Sequence, residues 1–219
     1  MSNIAQYNMV EQQIRPWNVH SAALLNAMSG LDRSLFVPQE QHSLCYFDFP
    51  IALDSSTCML EPKVAARLIQ AMDIQADDHV LVIGAGSGYC AALCSGLAAT
   101  VVCQDTSQPA LDRAEKNCTS AGINNIGFQK VEAMHAQTDS VQYDAILVRD
   151  AMPELPEICL TKLAPDGRCV ALLGHDYVTE MVCYTREGDQ FNQESIIDIL
   201  IPLRDAGAGS AQVKASFVF

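Results

Sequence analysis

Cationic residues are scarce in this 219-residue chain: 13 Lys and Arg stand against 26 Asp and Glu, a formal charge of −13 with a pI near 4.6. No Lys/Arg cluster occurs, which argues against a nucleic-acid partner, because binding to that backbone depends on cations displacing counterions. Long apolar runs are missing too. No stretch approaches the ~18 residues that a membrane span needs, so no membrane partner is expected. The opening residues MSNIAQYNMVEQQIRP lack the basic-then-apolar order of a secretory signal, and a cytoplasmic protein is the expectation. Paired cysteine motifs are absent: the nine cysteines lie at 45, 58, 90, 94, 103, 118, 159, 169 and 183, with no CxxC. Cys90 and Cys94 would share a helix face, yet two thiols make a poor metal site. The cysteines read as small hydrophobes in a reducing compartment, and no metal is expected. His42, His135 and His175 lack ligand-like spacing and read as surface or loop residues.

What remains is ample material for a core. Apolar residues make up 49% of the chain, and a chain of this size buries roughly 70% of its unfolded surface. There is no repeat and no low-complexity linker. Residues 1–30 hold two helix-like patches (Ile4, Tyr7, Val10, Ile14; then Leu24, Leu25, Met28) around Pro16 and Trp17, with Asn18 as the expected cap of the second. Residues 31–60 read as extended segments and loops, the aromatic run Tyr46–Phe49 as core. Pro62 suits a helix's first turn, with Val64, Leu68, Ile69 and Met72 on its buried side.

From residue 79 strands and helices alternate. HVLVI (79–83), TVVCQ (100–104), IGFQKV (126–131), YDAILV (143–148) and GRCVALL (167–173) are apolar strands. Helices through Leu97, over Pro109–Ala121 and near Pro156–Leu163 separate them, a pattern that implies a parallel sheet covered on both faces. YVTEMVCYT (177–185), FNQESIIDILIPL (191–203) and QVKASFVF (212–219) read as antiparallel strands. The expected fold is α/β, a Rossmann-like doubly wound sheet with an antiparallel C-terminal edge and an N-terminal helical extension. Residues 1–75 are expected to form an N-terminal helical and loop segment and 76–219 the α/β core.

Gly84-Ala85-Gly86-Ser87-Gly88 follows the first strand and opens a helix, where glycines allow a sharp turn and close approach of a ligand. Asp105 ends the second strand, placed to accept hydrogen bonds from ribose hydroxyls. A dinucleotide site needs GxGxxG, the third glycine easing helix packing; here that glycine comes one position early and Tyr89 takes its place. The spacing disfavours a nicotinamide oxidoreductase and suits S-adenosylmethionine, whose amino-acid tail carries no pyrophosphate. Glu132, past the third strand, can accept from an adenine amino group. Arg149 and Asp150 follow the fourth strand, where such sheets place ligand-facing groups; Arg149 either attracts an acceptor carboxylate or pairs with Asp150. Trp17 and Arg15 either close over the acceptor or pack the N-terminal helices.

Taken together, residues 80–93 (VLVIGAGSGYCAAL), 143–156 (YDAILVRDAMPELP), 160–174 (LTKLAPDGRCVALLG) and 201–203 (IPL) resemble protein-L-isoaspartate O-methyltransferases. MVEQQIRPWNV (9–19) and FVP (36–38) resemble the opening of a proteobacterial variety of that family. The resemblance implies transfer of a methyl group from S-adenosylmethionine to the free carboxylate of an isoaspartyl residue in a peptide or protein, a repair reaction. It implies Gly84, Gly86 and Gly88, with Ala85 and Ser87 between them, along the cofactor's methionine part, Asp105 on the ribose, Glu132 on the adenine and Asp150 nearby. It implies residues 1–75 as the segment covering the acceptor site, SSTCMLEP (55–62) directly over it, and 76–219 as the S-adenosylmethionine-binding core. Two positions depart from it. Leu60 stands where the family carries a serine, after Cys58 and Met59, and Val82 stands where the first strand carries an acid. Ser55, Ser56 and Thr57 are the available substitute hydroxyls. Methyl transfer to another acceptor, or a cofactor-binding relative without isoaspartyl activity, are the alternatives these two changes raise.

Overall fold

The strand His79–Ile83 sets the architecture. Val80 and Val82 join one apolar cluster, Leu81 and Ile83 another, as alternating strand side chains must. Burial on both faces marks a central parallel strand. The computed structural model describes residues 4–132, 141–175 and 178–199.

The chain begins with helix α1 (Ile4–Asn8), a π-helical turn (Met9–Ile14) and a 3₁₀ turn (Arg15–Trp17) before α2 (Ala22–Gly30). Met9, Val10 and Ile14 are buried, whereas Ile4 and Tyr7 are 76% and 60% exposed. Ser21, not Asn18, caps α2, its hydroxyl accepting from Leu24 N. Asn18 instead takes a left-handed conformation, φ 58°, and its carbonyl accepts from Arg67 and Gln70, so the helix starts later. Residues 31–60 also depart from expectation, forming 3₁₀ turns at Arg33–Phe36 and Gln39–Leu44. The Asp32 carboxylate accepts from both the amide and the hydroxyl of Ser34, which curls the chain. A short ribbon, β1 (Ile51–Ala52) with β2 (Cys58–Met59), leads into α3 (Pro62–Ala71), where Val64, Leu68, Ile69 and Met72 are buried as expected.

With β3 now naming His79–Ile83, there follow α4 (Tyr89–Ser95), β4 (Thr100–Asp105), α5 (Gln108–Ser120), β5 (Ile126–Lys130), β6 (Tyr143–Met152) and α6 (Glu157–Thr161). The chain continues through β7 (Leu163–His175), β8 (Val178–Glu187) and β9 (Gln190–Ile199). Sheet order is β5-β4-β3-β6-β7-β8-β9, parallel from β5 to β7 and antiparallel across β7-β8-β9. This is the doubly wound sheet with an antiparallel edge that the strand pattern implies. The larger core cluster joins Met9, Ile14 and Leu24 of the N-terminal segment to Val80, Leu93 and Leu147. The smaller one packs α6, through Cys159, on Leu81 and Ile146. His135, the IPL segment and QVKASFVF lie outside the described residues.

Strand order reverses at β3: β4 and β5 lie on one side, β6 and β7 on the other. Such a switch opens a crevice at the carboxyl ends of the strands, where open α/β sheets bind ligands. Gly84, Asp105 and Arg149 all stand at that crest.

Candidate functional site

The turn after β3 needs its glycines for different reasons. Gly84, Gly86 and Gly88 have φ of +95°, +53° and +87°, values that L side chains disfavour. A Cβ on Gly88 would meet the Ala114 carbonyl oxygen at 2.9 Å; this glycine lets α4 and α5 approach each other. The Cβ side of Gly86 faces Arg149 instead. Asp105 holds the turn in place: Oδ2 accepts from Ala85 N at 2.8 Å and Oδ1 from Ser107 N at 2.8 Å. An ionised carboxylate offers about four acceptor sites, so two remain for sugar hydroxyls. Asn117 and Arg113 of α5 tie down the next carbonyls, Asn117 donating to Ser87 O at 2.9 Å and Arg113 Nε to Gly86 O at 3.0 Å.

Arg149 lies across this turn. In β6 Ala145 and Leu147 face the larger cluster, and Arg149 continues that row past the last residues paired with β3. It is 3% exposed. Its Nη1 donates to Cys58 O at 2.7 Å and its Nη2 pairs with Asp150, while Nε has no hydrogen-bond partner among the described residues. A Cβ on Gly86 would meet Arg149 Cζ at 2.7 Å, and one on Gly84 would meet Asp150 Oδ2 at 2.9 Å. All five turn residues are buried. Burial opposes the Arg149 charge, but its neighbours, Asp150 foremost with Cys90, Cys58 and Asp105, together outweigh this and raise the guanidinium pKa.

On the acceptor side, Leu60 is 5% exposed and its carbonyl accepts from Arg33 Nη2 at 2.7 Å. Arg33 is fully buried, donates also to Cys45 O and stacks 4.6 Å from the Tyr89 ring centre. Ser56 donates through amide and hydroxyl to Asp54, and the Thr57 hydroxyl bonds the same carboxylate. Burial alone would push the Asp54 pKa up; these bonds and Arg113, 3.0 Å away, outweigh it and hold the carboxyl at about 2. The Ser56 and Thr57 hydroxyls thus serve their own loop, whereas the Cys58 carbonyl receives Arg149 from β6. Glu132 is exposed, two residues past Lys130, the register partner of Asp105.

The structure therefore brings Gly84–Gly88, Asp105, Asp150 and Cys58 together around Arg149. Arg15 stands apart, exposed and paired with Glu11 at 2.8 Å. Trp17 lies beneath Lys63, 4.4 Å from the ring centre. Tyr46 and Phe49 pack on the core, but Phe47 is 57% exposed, which corrects the reading of that run as wholly core. His42 contacts Val37 O. Three residues of the site escaped the sequence reading. Arg113 and Asn117 carried a signal, two polar residues one turn apart on the side of α5 that buries Ala110 and Ala114; Arg33, in a polar-looking LDRS stretch, carried none.

A glycine turn at the switch point, with an acid ending the neighbouring strand, defines a nucleoside-cofactor-binding α/β protein of the methyltransferase type. The chain matches the family described as protein-L-isoaspartate(D-aspartate) O-methyltransferase over residues 5–206, and it belongs to that family. It is 32% identical over 186 residues to the protein-L-isoaspartate O-methyltransferase of Methanospirillum hungatei, covering 85% of this chain and 86% of the relative. Identity to that of Methanoculleus marisnigri is 35% over 181 residues, 82% of each chain. Among solved structures, a Plasmodium falciparum chain described as a putative protein-L-isoaspartate O-methyltransferase, in complex with S-adenosyl-L-homocysteine, superposes with a TM-score of 0.77. It is 17% identical, and the match covers 92% of this chain and 99% of that one. Family membership makes this chain an S-adenosylmethionine-dependent O-methyltransferase.

The residues present fit that cofactor unevenly. Asp105 suits a ribose and Glu132 stands clear for an adenine. At the turn, the place where a methionine part would lie against Gly86 is taken by the Arg149 guanidinium.

Proposed function

We propose that this chain methylates the free carboxylate of isoaspartyl residues in peptides or proteins, in the cytoplasm, with Gly84–Gly88, Asp105, Glu132 and Asp150 around the donor and residues 1–75 covering the acceptor. The observation that carries the reading is the glycine turn fastened to Asp105 at the sheet's switch point, in a chain matched to the family over residues 5–206. Held by Gly84–Gly88 and Asp105, S-adenosylmethionine would supply the methyl carbon, on a cationic sulfur that would keep the electron pair of the broken carbon–sulfur bond while the acceptor oxygen supplies the new one. The acceptor is a carboxyl group that ordinarily loses its proton near pH ~4, so it is already anionic at neutral pH. No general base is required, and the chain's task is alignment, worth about 7–11 kcal/mol in well-ordered cases. Arg33 supports that task by fixing the Leu60 carbonyl, and with it the segment over the acceptor. The nine free cysteines, eight of them buried, are in keeping with a reducing compartment. No helix among the described residues is long and apolar enough to cross a membrane, and the acidic surface is poorly matched to nucleic acid.

Incubation with radiolabelled donor and an isoaspartyl peptide is expected to give base-labile methyl esters that the matching aspartyl peptide does not give. Absence of label at millimolar peptide, with donor bound, would remove this acceptor. A second reading, methyl transfer to a different acceptor, is favoured by Leu60 together with the Ser56 and Thr57 hydroxyls bound to Asp54. Losing one charge-assisted hydrogen bond costs about 1.5–3 kcal/mol. Leu60→Ser should therefore raise isoaspartyl turnover by roughly 10-fold or more under the first reading and leave it unchanged under the second.

A further inference from the structure

We infer that Arg149 is a built-in plug: in the resting protein its side chain fills the methionine end of the donor site, and the donor binds only when Arg149 leaves. The inference rests on the donor reading above and adds a property to that site.

Three observations converge on it. The first is space. The guanidinium lies so close to the turn that a single added carbon on Gly86 would stand 2.7 Å from Cζ and 2.9 Å from Nη1. The hollow left between Met59, Leu60, Ser87, Tyr89 and Arg149 has a volume of about 10 Å³, room for no more than one water. The second is anchoring. Arg149 is held from both sides, by Cys58 O on the acceptor-side ribbon and by Asp150 on its own strand. Leaving breaks the contact that ties β2 to β6 through Cys58 O. The third is charge. Val82 supplies no carboxylate where the family pattern has one, and is 1% exposed. A cationic sulfur entering here meets a buried guanidinium whose paired carboxylate, Asp150, is already engaged. Nε, buried with no hydrogen-bond partner among the described residues, is a polar atom left unsatisfied in this position. Such an atom favours departure once another occupant offers better contacts.

Calorimetric titration of the full chain with S-adenosylhomocysteine tests this without any acceptor. Arg149→Ala and Arg149→Thr open the hollow; Arg149→Met keeps it filled while removing the charge, and S-adenosylhomocysteine carries no sulfonium. Thermal melting of each variant establishes that it is folded. The expected result is at least tenfold tighter binding by an opening variant than by the wild type, with Arg149→Met close to the wild type. Equal affinity of wild type and opening variants would overturn the plug and leave the donor reading standing. Binding by Arg149→Met as tight as by Arg149→Ala would also overturn it, since filling would then not matter. Absence of binding by the wild type and by folded opening variants alike would overturn the plug and bring down the donor reading with it.

Discussion

Asp105→Ala tests whether the turn is held by a side chain. Asp105 is 5% exposed and accepts two backbone hydrogen bonds at 2.8 Å, from Ala85 and from Ser107. Ala85 is 3% exposed, so its amide would be left without a partner away from water, a loss of about 1.5–3 kcal/mol for a bond to a charged acceptor. The Ser107 amide precedes α5 and is partly open to solvent, so its loss is closer to that of a helix-terminal contact, about 0.5–2 kcal/mol. The sum is about 2–5 kcal/mol, with 3 as the central figure. For a chain of this length each kcal/mol moves the melting point by about 2–4 °C, so melting should fall by about 6–12 °C. Urea denaturation and thermal melting of wild type, Asp105→Ala and Asp105→Asn provide the measurement. Asparagine keeps one acceptor and should lose about half as much. A loss below about 1 kcal/mol for the alanine variant would refute the view that this carboxylate fastens the glycine turn, and would leave it to ligand binding alone.

Gly88→Ala should cost about 2–5 kcal/mol in the same urea assay, from left-handed strain of about 1–2 and overpacking against Ala114 backbone of about 1–3. Gly122→Ala, with φ +74° and nothing within 4 Å of the added carbon, should cost only the strain. Of nine thiols Cys58 alone is not buried, while burial raises the pKa of Cys118 and of Cys159 to about 12; one fast equivalent of maleimide labelling is expected, abolished by Cys58→Ser. Because the folded Asp54 carboxyl is held at about 2 against an unfolded 3.8, its contribution is complete above about pH 4 and fades as pH falls toward 2. The difference in urea midpoint between wild type and Asp54→Asn should narrow across that window; a constant difference would contradict the Arg113–Asp54 assignment.

The centre of the sheet was legible because β3 and β6 are buried on both faces, and the sequence marks them as uninterrupted apolar runs. HVLVI coincides with β3, and TVVCQ and IGFQKV match β4 and β5 to within a residue. β6 outruns its apolar stretch, continuing to Met152 through a register shift that returns it to pairing with Leu173, and no periodicity encodes such a shift. The N-terminal segment was less legible. Its anchoring is long-range: the Asn18 carbonyl finds partners some 50 residues away on α3, which local spacing does not encode. Gly84–Gly88 and Asp105 were legible as a cofactor site because a turn and an acid at fixed places on consecutive strands are a pattern along the chain. That Gly88 serves helix packing was not, since its contact is with α5.

Arg149 marks where reading from sequence stops. An arginine beside an aspartate after the fourth strand allows either an acceptor-seeking cation or a local pair, and the residue order alone weighs them equally. Two facts available only in three dimensions decide between them. The β3–β6 register pairs Val82 with Leu147 and Ile83 with Val148, so one step further Arg149 falls beside Gly84. The ribbon carrying Cys58 then closes over it with a carbonyl at 2.7 Å. Neither contact has a signature in composition or spacing, because each depends on strands that are far apart along the chain. The same register makes the departures at 82 and 149 a single matter. Both residues belong to the row facing the larger cluster, one on each of two adjacent strands. A valine at the first leaves the second without a carboxylate from β3, so Asp150 on its own strand supplies the partner and the pair folds over the turn. An acid at position 82 would compete with Asp150 for the guanidinium, and Val82→Asp is the substitution expected to draw Arg149 off Gly86.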